Sequence, residues 1–397
     1  MRQSSFRATL VLGLLSCIGP FAIDMYLPAM PRIGEDLTAS VQAMQGTITA
    51  YFMAFGVAQL IYGPWADQVG RKPPLYAGIA IFCLGTIACA MAGSIEVLTA
   101  GRFVQGLGGA AMMVVPRAII RDLSTGHAAT QMMAAIMLVI SVSPMLAPLS
   151  GAAIISAFSW RAIFVALLVA AAVSLALLKF AQPETLAVAD RQTFRFSETL
   201  RGARTLLTDR SFLTLTFLGA FGMASFFVFL ASAAFVYTGT YGLSPTQFSL
   251  AFAANAMAFI GASQLAGPLG KRFGAIGVMR GATLGFAIAV SALFALALIA
   301  PIGLATLIVG LALGNACLGL VIPTAMVMAL DDHGDIAGLA SSLGGTIQML
   351  TGGAVVALMG PILSAKPTPM IGVIAGCAVA ALILSRLTRV SQAATAS

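Results

Sequence analysis

Of the 13 acidic side chains in this chain, only Asp24 falls well inside a long apolar run, that of residues 9 to 32. A carboxyl at the centre of a membrane helix costs about 3 kcal/mol on insertion scales, so such groups face cavities or ion pathways. Reversible protonation is the chemistry open to it. Two arginines also fall inside apolar runs, Arg102 and Arg117. At about 1.5 Å of rise per residue, Asp24 lies roughly 13 Å and Arg102 roughly 9 Å from the outer ends of their runs. At these similar heights Arg102 would hold Asp24 ionised and let go when a proton arrives, which makes Asp24 and Arg102 the proton-coupling pair. Arg117 lies nearer the inner end, where a long cationic side chain reaches the headgroups.

A second polar cluster lies between apolar runs, in GPWADQVGRKPPL at 63 to 75. Gly63 and Pro64 read as a helix end and Gly70 as a tight turn. Asp67 is then expected against the backbone amides that open a neighbouring helix, where negative charge is favoured. Arg71 and Lys72 stay at the inner surface. The group Gly63, Asp67, Gly70, Arg71 and Lys72 reads as a conformational latch. Further on, Pro144 and Pro148 each remove a helix hydrogen bond, and Gly151 with its small neighbours permits close helix contact, as a gating helix requires.

These residues need elements to hold them, and the composition says which. The chain is 59% hydrophobic and 9% charged, with a mean hydropathy of +0.99. Apolar runs of about twenty residues recur along its length, too many for one soluble core. Runs apolar on every face, such as 130 to 157 and 281 to 330, exclude a β-barrel, whose strands alternate. The fold class is an all-α membrane protein.

Breaks at Pro, Gly and charge place twelve spans, near 9–32, 40–63, 74–93, 96–122, 130–157, 160–182, 211–238, 246–268, 275–299, 301–330, 335–362 and 368–386. The octet GPWADQVG at 63 to 70 returns as GPLGKRFG at 267 to 274, which divides the spans into two similar halves. Residues 1–182 and 211–397 are expected as two six-helix bundles, joined by a cytoplasmic linker at 183–210 with a surface helix around 197–207. Such parallel halves place a substrate site between them. With both termini cytoplasmic, every lysine and arginine except Arg32, Arg161, Lys366, Arg102 and Arg117 falls on the inner side, as the positive-inside rule asks. The net charge of +8 expresses that asymmetry and suits anionic lipid headgroups, not nucleic acid. The first run carries LLSC at 14 to 17 behind two arginines, in the manner of a lipoprotein leader, but it continues to Met30 and reads as an uncleaved span. The five cysteines are scattered within spans and read as apolar packers.

The 63–75 segment resembles the loop signature of the major facilitator superfamily, with Gly63, Asp67, Gly70, Arg71, Lys72 and Leu75 in place, Trp65 for a usual Leu and Gln68 for a usual Arg. LTAGRFVQGLGGA at 98–110 resembles the fourth-span motif of that family. SPMLAPLSGA at 143–152 resembles the fifth-span motif of its drug:proton antiporter branch, with Ala147 and Ala152 replacing glycines. DMYLPAMP at 24–31, RAIIRD at 117–122 and SWRAIF at 159–164 look like the bacterial Bcr/CflA drug-resistance group. The resemblance implies an inner-membrane, proton-driven exporter of small amphiphilic drugs such as chloramphenicol, bicyclomycin or sulfonamide-like compounds, acting as a monomer. A transporter of a native metabolite or siderophore is the alternative.

Tyr26, Tyr51, Gln59, Met113, Arg117, Phe227, Asn255 and Gln348 fall in spans that could line a central cavity for such compounds. No P-loop follows a strand, so no nucleotide is expected, and the proton gradient serves as the energy source. With two histidines and no metal-ligand spacing, neither a metal cofactor nor an enzyme is expected. A structural or sensory membrane protein would leave Asp24 without a purpose.

Overall fold

Ser40 and Ser244, 204 residues apart, open the same helix twice. The computed structural model of the chain describes residues 2–124, 126–191, 196–331 and 333–388. The Ser40 hydroxyl accepts from the Ala43 amide at the start of Val41–Val69, and Ser244 with Gln247 forms a full capping box at the start of Pro245–Phe273. Both helices are 29 residues long, contain an internal proline (Pro64, Pro268) and stop at a glycine of positive φ, Gly70 at 101° and Gly274 at 75°. The repeat seen in the sequence is therefore kept residue for residue in three dimensions.

The described helices are α1 (Arg2–Asp24), α2 (Met30–Asp36), α3 (Val41–Val69), α4 (Lys72–Ala90), α5 (Ile95–Leu123), α6 (Gly126–Ala157), α7 (Arg161–Phe180), α8 (Phe196–Thr208), α9 (Arg210–Gly239), α10 (Pro245–Phe273), α11 (Ala275–Ile299), α12 (Leu304–Asp331), α13 (Ala337–Met359) and α14 (Pro367–Leu387). No strand occurs among the described residues. Among the described residues eleven stretches are long and apolar enough to cross a membrane, with Ala8–Asp36 counted as one. α3 is not among them, because Gln45, Thr47, Gln59 and other polar residues dilute its apolar character. In the segment expected as a linker, α8 lies where a surface helix was expected, while 192–195 fall outside the described residues.

Two expectations are corrected here. α3 does not end at Gly63–Pro64 but runs on to Val69. A proline near a helix end forfeits one bond that water or headgroups can replace, whereas only the turn at Gly70 forces the chain out of helical geometry. The first span, expected to hold Asp24 well inside one helix, crosses as one stretch but is interrupted: α1 stops at Asp24, a 3-10 turn covers Leu27–Ala29, and α2 resumes at Met30. Pro28 and Pro31 bring no amide hydrogen to this stretch, and the amide of Tyr26 bonds Ile23, three residues back, not Ala22.

α5 is wedged between α3 and α4, with Gly106 against the Tyr51 backbone and Gly108 against that of Phe82. α6 packs on α1, and α7 on α4. In the second set α12 packs on α10 and α11, and α14 on α9 and α11. The two sets meet where α3 lies on α13 and α6 on α10. Side chains such as Leu84, Ile288, Leu298 and Ile383 remain exposed on the outside, as a hydrocarbon-facing surface requires.

Candidate functional site

The break after α1 creates the central site. A helix end leaves its last carbonyls without amide partners, and here the Ala22 carbonyl is taken by Arg102 of α5, at 2.9 Å from Nη1. The same nitrogen donates to Gln105 Oε1 at 2.5 Å, and Gln105 in turn donates to the Thr86 hydroxyl at 2.9 Å. The guanidinium carbon lies 4.7 Å from the Tyr26 ring centroid and 4.5 Å from that of Tyr51. Both rings are fixed by their hydroxyls, Tyr26 to Thr47 at 2.8 Å and Tyr51 to the Gly19 carbonyl at 3.2 Å. A cation is favoured at a helix C-terminus, and aromatic faces add to its stability in a dry site.

Arg102 is thus fully buried and committed to the end of α1. The direct Asp24–Arg102 pair expected from their depths is not formed. Ala22 and Asp24 are about 200° apart around the helix, so an arginine that caps one stands away from the other. Asp24, the last residue of α1, is 6% exposed and faces Ser143 of α6. The Ser143 hydroxyl is buried and makes no regular hydrogen bond among the described residues. On the next turn but one of α6, Gly151 sits directly on the Met25 carbonyl, where an added Cβ would overlap that oxygen. Asp24 therefore stands at the start of a turn clasped by α6.

Pro144 and Pro148 both lie inside α6. The Pro148 carbonyl accepts from the Ser249 hydroxyl of α10 at 3.0 Å, which joins this helix to the second set. More contacts join the sets between the middle of α3 and the end carrying Ser40 and Ser244. Gln45 donates to Ser232 at 3.2 Å, Thr346 to the Gly56 carbonyl at 2.8 Å, and Phe52 stacks on Phe227 with centroids 3.7 Å apart.

At the opposite end lies the second cluster. Arg71 forks onto Asp122, the last acidic residue of α5, with Nε–Oδ2 at 2.7 Å and Nη2–Oδ1 at 3.0 Å, and also pairs with Asp67. Burial opposes the Arg71 charge, but Asp122 and Asp67 outweigh it and hold the guanidinium above its usual range. Asp67 does not cap a neighbouring helix, as the sequence suggested. Glu184 does, accepting from the amides of Arg71 at 2.9 Å and Lys72 at 3.0 Å at the start of α4, and from Thr185 and Leu186 in its own turn. Gly70 is required there: its φ is positive, and a Cβ would press on the Glu184 carboxylate at 2.8 Å. Lys72 Nζ donates to the Gln182 carbonyl at 2.8 Å and Thr185 to Asp122 at 2.8 Å. Among the described residues no bond of this cluster reaches beyond residue 191. Gly63 remains within α3 with open space around it.

Partial burial raises the Glu184 carboxyl, but its four backbone amides prevail and hold it below the usual carboxylate range. Its contribution is thus complete above about pH 4.3, the unfolded value, and fades as pH falls through the lower folded value. Detergent-solubilised protein is expected to lose thermal stability, as pH falls below about 4.3, more steeply than Glu184→Gln does. Parallel curves for the two would remove Glu184 from this role.

The residues expected to line an open cavity divide. Tyr26 and Tyr51 are wholly buried around Arg102, while Phe227 at 2% exposure and Asn255 at 1% are packed inside. Asn255 bonds the Ala251 carbonyl and Asn315. They line no open space in this conformation because the helices are closed together at their level. Gln59, Met113, Arg117 and Gln348 lie further toward the Gly70 end. Gln348 joins Thr216, Ser341 and Gly345 around a small cavity there. Sequence reading missed Ser143, Gln105 and Glu184. The first two stand in motifs already singled out, within a turn of a proline or an arginine, whereas Glu184 has no local signal.

The profile of the Major Facilitator Superfamily matches residues 12–357. An uncharacterized MFS-type transporter of Bacillus subtilis is 34% identical over 353 residues, 88% of this chain and 87% of the relative. A bicyclomycin resistance protein homolog of Haemophilus influenzae is 32% identical over 96% of both chains. Multidrug resistance protein D of Escherichia coli is 33% identical over 68% of both. Among solved structures, a D-xylose-proton symporter superposes with a TM-score of 0.76 at 16% identity, covering 96% of this chain and 97% of that one, a likeness of fold alone.

Proposed function

Because the chain belongs to the Major Facilitator Superfamily and is a multi-pass membrane transporter, we propose that it exports small amphiphilic drugs in exchange for protons by alternating access. The observation that carries this reading is Asp24, a buried carboxyl at a helix break clasped by α6. Relatives named for resistance to bicyclomycin, chloramphenicol and multiple drugs support the substrate class. In this reading α3, the register twin of α10, completes twelve spans. Residues 1–182 and 211–397 then form two six-helix bundles, with both termini cytoplasmic in a bacterial inner membrane. The contacts from the middle of α3 to its Ser40 end close the outer face, so in this reading the conformation faces inward. Asp67, Gly70, Arg71 and Lys72 fasten the inner end of the first bundle, and α6 carries the movement of the Asp24 turn to α10.

The energy suffices. A potential of about 100 mV contributes ~2.3 kcal/mol per charge and one pH unit ~1.4, together a gradient of roughly 500-fold. The test uses proteoliposomes with an acid lumen and an internal pH dye. Chloramphenicol added outside should enter and raise the lumen pH; drug flux with no pH response would sink proton coupling. No flux with any of a panel of drugs would favour export of a native metabolite or siderophore.

A further inference from the structure

Arg117 is an interior charge that neither Asp24 nor the capped end of α1 accounts for. Within the described spans, away from their ends, the charged side chains are Asp24, Arg102 and Arg117, two cations against one acid. The second set of helices places none there; Arg280, near the start of α11, is held by the carbonyls of Ser385 and Thr388. Arg102 cannot meet a ligand, being fully buried between two rings and bonded to Ala22 and Gln105. Arg117 differs. It is partly exposed, between Val115 and Pro116 on one side and Ala118 and Ile119 on the other, all buried. Among the described residues it forms no hydrogen bond, ion pair or ring stack.

Its position shows what it faces. Gly106, Met113 and Arg117 are spaced i, i+7 and i+11, one stripe of α5, and Gly106 of that stripe abuts Tyr51 of α3. α3 and α5 run parallel, since Asp67 and Asp122, near their last turns, meet on Arg71. Gln59, two turns past Tyr51, therefore approaches the depth of Met113 and Arg117. The Gln59 side-chain nitrogen is also buried without a partner, and its oxygen points at Gly345 of α13. An unpaired guanidinium and an unpaired amide nitrogen at neighbouring depths, beside the junction of α3 and α13, ask for a hydrogen-bond acceptor with negative charge.

We propose that Arg117, with Gln59, forms the inner selectivity site of this transporter, and that it takes amphiphiles carrying a carboxylate or a comparable acidic group. The inference rests on the export reading, but its affinity test does not depend on movement of the solute. Asp24 and Arg102 lie about 20 Å away along α5, counting 1.5 Å per residue, too far for the charge on Asp24 to set the affinity of the acid through water-filled space. Selection and proton coupling are therefore separable.

Binding of two probes of like shape, 1-naphthylacetate and 1-naphthylacetamide, is measured on the purified full chain at pH 7. The native protein should bind the acid at least about tenfold more tightly than the amide, the worth of one charge-assisted hydrogen bond. Arg117→Gln should bring the ratio to about one, chiefly by weakening binding of the acid, while an unchanged melting curve and gel-filtration profile show that the variant is folded. Arg117→Lys should keep part of the preference, and Asp24→Asn all of it. Equal affinities in the native chain, or a preference that survives Arg117→Gln, would overturn the proposal and identify Arg117 as an arginine reaching the headgroups. Acid preference without transport of either probe would retain the anion site and remove export; transport of the amide with no acid preference would do the reverse.

Discussion

Asp24→Asn is expected to lower proton-driven export by about a hundredfold, the lower bound for losing a positioned acid–base group, and to return a resistant host to the sensitivity of one carrying an empty vector. The amide keeps the size of the side chain and its place beside Ser143, so folding and membrane expression should be unchanged. Exchange of labelled for unlabelled drug, which needs no net proton movement, should persist. Those three results together would tie the loss to protonation. Full resistance in Asp24→Asn at matched expression would remove Asp24 from the cycle. Asp24→Glu should recover little, because the turn beneath α6 has no room to spare: Gly151 already touches the Met25 carbonyl.

Arg71→Gln should be the most destabilising change at the other end of the bundle. The Arg71 side chain is 7% exposed and its partner Asp122 15%, so the substitution leaves an almost buried carboxylate uncompensated, at a cost of about 3 kcal/mol. Asp67 is 45% exposed, and Asp67→Asn leaves the fork to Asp122 intact, so its cost should stay below about 1 kcal/mol. Thermal melting in detergent is expected to rank Arg71→Gln below Asp122→Asn and both below Asp67→Asn. If Asp67→Asn melted as low as Arg71→Gln, the fork would not be what secures this end. A transport defect in Asp67→Asn without loss of stability would assign that residue to the movement itself.

The all-helical class, the repeat and the two polar centres were legible in the sequence because each leaves a local mark. Apolar length marks a span, the octet that returns 204 residues later marks the two halves, and an acid in an apolar run stands out on composition alone. What the sequence concealed depends on direction around a helix and on distant chain segments. Depth put Asp24 beside Arg102, but angular position sends the arginine to the Ala22 carbonyl, an acceptor that exists only because α1 breaks. Asp67 has the type and spacing of a helix cap, yet the cap comes from Glu184, more than a hundred residues later, and no periodicity predicts that return. Pro64 looked like a stop because proline usually is one in water; at a membrane surface the lost bond matters less than the turn at Gly70.

The junction of the two sets of helices has a chemical character of its own. Gln45 with Ser232, Ser249 with Pro148, Thr346 with Gly56 and the Phe52–Phe227 stack are neutral contacts, and no ion pair crosses among the described residues. Dissolved electrolyte weakens attraction between charges and leaves dispersion and neutral hydrogen bonds almost untouched. In the proposed orientation, osmotic stress that concentrates the salt around a bacterium would thus have no purchase on this closure, while the charged end at Arg71 would meet only the buffered cell interior.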